Sequence, residues 1–137
     1  LYHQTLKENF MINTQSISFI ALSLILTACS TTPTNPNTPT VLEQHKNISA
    51  EPNTKHNLAK LIKQTDNCVI EFTGNFETGK ATEYWIFKGD QLISAFSNVD
   101  AEVENKQTVF DPKDAEKLKN FNSLKNNFKA SNLEKCN

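Results

Sequence analysis

The sequence predicts an α+β fold, a small antiparallel meander of about four strands packed with a C-terminal amphipathic helix and a short N-terminal helix. Three observations lead there. Apolar and polar residues alternate from Cys68 onward, Gly89-Asp90 has the composition of a two-residue hairpin turn, and apolar residues recur every three or four positions behind Asp111-Pro112.

Taken in order, Leu58, Leu61, Ile62 and Thr65 fall at i, i+3, i+4 and i+7, which predicts a short amphipathic helix stopped at Asp66-Asn67. Cys68, Ile70 and Phe72 then alternate with Val69, Glu71 and Thr73, the pattern of a strand with one face toward a core. A loop is expected over Asn75 to Gly79, followed by a strand over Thr82 to Lys88, rich in aromatic and branched residues. Beyond Gly89-Asp90, the strand Gln91 to Val99 divides its apolar residues between both faces. A turn at Asn105-Lys106 would lead into a last strand, Gln107 to Phe110. Asp111 is placed to cap a helix whose first residue is Pro112, with Asp114 near the positive end of the dipole. Ala115, Leu118, Phe121, Leu124 and Phe128 carry that helix to about Phe128.

The N-terminal third reads differently. From Ile17 to Leu26 the residues are apolar except Ser18 and Ser23. Such a block is too short to cross a bilayer, which takes about 20 residues, and fits the apolar region of a secretory signal. Behind it stands Leu26-Thr27-Ala28-Cys29, which resembles the lipobox of bacterial lipoproteins. The resemblance implies diacylglycerol on the Cys29 sulfur and cleavage of the Ala28-Cys29 bond, making residues 1–28 a signal peptide. It also implies a cell-envelope location, and with Ser30 after the cysteine the periplasmic face of an outer membrane if the source is Gram-negative. Residues 11–16 carry no Lys or Arg, unlike most such signals, so residues 1–10 read as an over-extended start.

Residues 30–40 contain three prolines and no apolar residue. With the polar sequence that follows, they predict a flexible tether over 29–54 and a folded domain over 55–137. About 80 residues build a marginal core. If Cys29 is lipidated, Cys68 and Cys136 remain as an even pair in an exported protein and could staple that core.

Composition excludes more than it assigns. The chain has 14 cationic side chains, all Lys, against 15 acidic ones. Without an excess of cations, or Arg for bidentate phosphate contacts, nucleic acid is not an expected partner. The histidines are His3, His45 and His56, none inside the expected domain core. That removes the commonest general base, and the three glycines leave no room for a phosphate loop or dinucleotide fingerprint. No metal site and no cofactor are expected. Two features could meet a partner, either an envelope protein or a glycan. One is the run Tyr84-Trp85-Ile86-Phe87, in which alternation would leave either Tyr84 with Ile86 or Trp85 with Phe87 outside the core. The other is Asp100, Glu102 and Glu104, which would share one side of an extended segment. The leading expectation is a non-enzymatic binding or bracing domain. An inhibitor of a hydrolase comes second and a small carboxylate-dependent enzyme third.

Overall fold

The computed structural model describes residues 38–137; the expected signal, Cys29 and the chain up to residue 37 lie outside the described residues. Six strands form one antiparallel sheet in sequence order: β1 (Thr40–Lys46), β2 (His56–Lys63), β3 (Cys68–Phe76), β4 (Gly79–Lys88), β5 (Gln91–Ala101) and β6 (Asn105–Phe110). Helix α1 (Ala115–Lys125), the single turn α2 (Ala130–Leu133) and a 3-10 turn at Glu134–Cys136 follow. The α+β character is as expected, with six strands in place of four and short helices.

Both extra strands come from the N-terminal side. The expected helix around Leu58 is β2, in which Asn57, Ala59 and Leu61 are buried while Leu58, Lys60 and Ile62 are half-buried. A strand with both faces partly covered can imitate helical spacing, and eight registered pairs with β3 decide for the ladder. β1 lies inside the stretch expected as tether. It runs antiparallel to β2 with a bulge between Val41 and Glu43, so the sheet begins at Thr40 rather than near residue 55. The β1–β2 connection is also ordered by its side chains. Asn57, buried, accepts from the Ile48 amide and donates to the Ile48 carbonyl, both at 2.8 Å.

Three tight turns complete the meander. Glu77-Thr78 joins β3 to β4, and Gly79 follows with φ 155°. A Cβ on Gly79 would lie 2.3 Å from the Asp100 carbonyl oxygen, so only glycine lets β4 and β5 approach there. Gly89, with φ 56°, opens the β4–β5 turn at the position read from sequence. The β5–β6 turn falls at Glu102-Val103, where the Ala101 amide donates to the Glu104 carbonyl at 3.2 Å, three residues earlier than expected.

Helix α1 starts at Ala115, and its cap is Asp114, whose carboxylate accepts from the Lys117 amide at 3.0 Å. Asp111 instead closes a local turn by accepting from the Lys113 amide at 2.9 Å. At the other end, the Asn127 side chain donates to the Ser123 and Leu124 carbonyls, and regular helix stops at Lys125. Phe128 is nonetheless buried beyond it.

The core lies between α1 and one face of the sheet. Leu61, Ile70, Trp85, Phe87 and Ala95 point that way, and Phe121 packs over Phe87 and Trp85 with ring centroids 5.2 and 6.2 Å apart. The structure joins Cys68 at the start of β3 to Cys136 near the C-terminus, with Cα atoms 5.4 Å apart, within the ordinary range for a disulfide.

Candidate functional site

Because side chains alternate along each strand, pairing partners share a face. Leu61, Ile70, Trp85, Ala95 and Phe110 form one cross-strand row on the helix face, where α1, α2 and the C-terminal turn all pack. The opposite face carries no helix among the described residues and is the broadest candidate contact surface.

Its rows change in polarity along the strands. At the end where the chain enters β1, Val41, Ile62, Val69, Ile86 and Ser94 stand in register. The next row is Gln44, Lys60, Glu71, Tyr84, Phe96 and Val109. Tyr84 stacks on Phe96 at 4.8 Å, and Val109 on edge strand β6 is 76% exposed. Farther along come Lys46, Leu58, Thr73, Thr82, Asn98 and Gln107, and at the far end Asn75, Lys80, Asp100 and Asn105.

These positions correct the expected contact residues. Trp85 and Phe87 are 1% and 0% exposed, so they belong to the core and offer a partner nothing. Alternation left two ways to divide the aromatic run, and α1 settles it by covering the Trp85 side. Tyr84 lies half-buried on the open face. Asp100, Glu102 and Glu104 do not line one side. Asp100 ends the open face of β5, Glu102 is in the turn and Glu104 lies across it, because the chain reverses where an extended segment was expected. The Glu102 amide donates to the Thr78 carbonyl at 3.2 Å, which ties the β3–β4 and β5–β6 tips together. Val103, at 91% exposed, crowns this double tip.

Two other carboxylates stand out by environment. Glu83, on the helix face beside Trp85, is pushed above its ordinary range by burial, against the opposing pull of the indole N–H at 3.1 Å and the Lys117 charge. Glu43 on β1 goes the other way. Burial works to raise it, yet the Asn132 side chain at 2.9 Å, the Lys129 amide at 3.0 Å and His45 at 2.6 Å hold it below its ordinary value. It thereby fastens the start of α2 to an edge strand. Neither role was readable from sequence, since each depends on partners far away in the chain.

The lysines of the C-terminal region are partly committed within the domain. Lys117 sits 4.2 Å from the centroid of the Phe110 ring, and Lys125 donates to Asp90 at 3.0 Å and to the Gly89 carbonyl at 3.3 Å. Glu83 lies on the helix face, Glu71 and Asp100 on the other, and Glu102 in a turn, so these carboxylates are dispersed rather than convergent. Among the described residues no cluster of three or more His, Cys, Asp or Glu could hold a metal ion, and no helix is long and apolar enough to cross a membrane. Cys29 and its lipobox lie outside the described residues. Set against known protein families, curated proteins and solved structures, the chain matches none.

Proposed function

We propose that the chain is a cell-envelope lipoprotein, held by lipid on Cys29, whose domain acts by binding or bracing another envelope component rather than by catalysis. The observation that carries the reading is the sequence Leu26-Thr27-Ala28-Cys29 directly behind a short apolar block. The cysteine arithmetic supports it. Cys68 and Cys136 are joined to each other, and the third cysteine is the one in the lipobox. Such a bond also suits an exported, oxidising compartment. The binding surface we assign to the open face around Tyr84 and Phe96, where aromatic area is presented on a rigid sheet.

Two measurements test this. Intact mass of the protein extracted from the membrane fraction is expected to show acyl chains on an N-terminal Cys29; an unmodified chain that still carries residues 1–28 would refute the anchor. Capture after in-cell crosslinking is expected to recover a protein or glycan partner that Phe96→Ala loses. Identical recovery by both forms would reject the open face as the surface.

The double tip favours a second reading, an inhibitor that inserts Val103 and its flanking turns into a hydrolase cleft, since an inhibitor must present a protruding rigid loop. Val103→Asp would then abolish capture while Phe96→Ala leaves it intact.

A further inference from the structure

The open face is graded, and the gradient has a direction relative to the anchor. Its most apolar row, Val41, Ile62, Val69 and Ile86, which ends in Ser94 on β5, is the first open-face row after the chain enters the sheet at Thr40. Half of Val41 is exposed, Ile62 and Ile86 are half-buried, Val69 between them is buried at 6% exposed, and Lys88 lies one open-face position beyond Ile86 on β4. The polar row with Lys80 and Asp100 lies at the other end of the same strands. On β4 the two rows are marked by Ile86 and Lys80, and the six residue steps between them place these ends about 20 Å apart.

Ten residues, 30–39, separate Cys29 from Thr40. The eleven steps from Cys29 to Thr40, fully extended, reach roughly 40 Å at most, so the apolar end cannot stand farther than that from a lipid on Cys29. A chain that needed only to hold its domain clear of the bilayer has no use for an apolar row at this end. Aliphatic side chains beside a lysine are the combination that settles at the boundary between headgroups and acyl chains.

We propose that Val41, Ile62 and Ile86, packed over the buried Val69, rest on the bilayer surface, so that the lipid and the sheet form one two-point attachment and the far hairpin tips project away from the membrane. The inference rests on the lipoprotein reading and names the lipid surface as the occupant of the near end of the open face. The attachment fixes the height and tilt of the domain, which a lipid at the end of a ten-residue connection alone does not.

The test uses the full chain, purified from membranes and returned to vesicles of phosphatidylethanolamine and phosphatidylglycerol, with a photo-crosslinking side chain placed at position 41 or at position 103. Both sites are exposed, and an intact Cys68–Cys136 link, read by alkylation with and without reductant, verifies that each variant has folded. Lipid adducts are expected at least tenfold more often at 41 than at 103. Equal yields, or a second protein chain crosslinked at 41, on protein whose Cys29 carries acyl chains, would overturn the surface while leaving the anchor standing. Protein without acyl chains on Cys29 would overturn the anchor and this inference with it.

Discussion

The two faces of the sheet are built from similar residue types and meet opposite fates. On the helix face, Trp85, Phe87, Ile70 and Leu61 are fully enclosed by α1 and the C-terminal segment. On the open face, Tyr84, Phe96, Ile62 and Ile86 stop at half-burial, while Val69, flanked by Ile62 and Ile86, is 6% exposed. The difference teaches that composition along a strand does not choose the core face. The choice is made by what arrives later in the chain, here a helix whose Phe121 fits over two rings and whose tail is joined to the first residue of β3.

The largest expected contrast is between rings on the two faces. Phe121→Ala should destabilise by about 3–5 kcal/mol, as large-to-small changes in enclosed cores do, whereas Phe96→Ala, half-exposed and stacked on Tyr84, should cost on the order of 1 kcal/mol. Denaturant unfolding of both variants measures this. Equal losses would break the comparison and mean that the Phe96 side is as enclosed as the core.

A slightly smaller effect sharpens the same contrast from the covalent side. The Cys68–Cys136 link closes a sequence separation of 68 residues, and in the chain-entropy description such a loop contributes about 4 kcal/mol. The Cys68→Ala/Cys136→Ala double variant should lose about that much in thermal or denaturant unfolding. Hydrogen exchange should localise the consequence: amides of residues 126–137 and the Gly89 amide, which donates to Cys136 at 2.8 Å, become labile before those at the centre of β3 and β4. Uniform loss of protection would show that the link holds the whole sheet rather than its helix side.

What could be read in advance follows from the same asymmetry. The strand at Cys68, the Gly89 turn and the helix behind Asp111 were legible because each rests on local signals, namely alternation, a glycine able to take positive φ and the apolar period. β2 was misread because Leu58, Leu61 and Ile62 satisfy a helical spacing while their alternation is blurred by partial burial on both faces. β1 was missed because an edge strand bonded on one side needs little hydrophobicity, and Val41-Leu42 stands alone amid polar residues. Of the expected contact residues, Trp85 and Phe87 went to the core and Tyr84 to the surface, a division that depends on α1 and not on the run itself. The apolar row at the chain-entry end needs the register of four strands before it exists at all.

Glu43 offers a mid-sized probe of how the helix side is held. Glu43→Gln removes the charge that the Lys129 amide, Asn132 and His45 all address, and charged hydrogen bonds of this kind contribute roughly 2 kcal/mol. The folded pKa lies below the ordinary value, so the stabilisation is present above about pH 4.3 and is lost as pH falls through the depressed folded value. Acid unfolding followed by circular dichroism should therefore show a shallower stability loss below pH 4 in Glu43→Gln than in the parent. Parallel acid limbs would mean that the carboxylate contributes nothing as a charge.

Glu83, on the same covered side, should give the smallest change and the opposite sign. Burial raises its pKa, so between about pH 4.3 and the raised folded value the native state holds a proton that the unfolded chain has released. Stability from this group is complete at the low end of that window and declines as pH rises through it. Glu83→Gln mimics the protonated form and keeps an oxygen for the Trp85 indole N–H, so the variant should lose this decline and differ from the parent by less than about 1 kcal/mol at neutral pH. The Lys117 charge works against the gain by favouring the carboxylate. Lys117→Met removes that pull and should widen the interval over which the parent loses stability. If Lys117→Met instead leaves the interval unchanged, the lysine directs its charge to the Phe110 ring, and burial opposed by the Trp85 indole N–H sets the behaviour of Glu83.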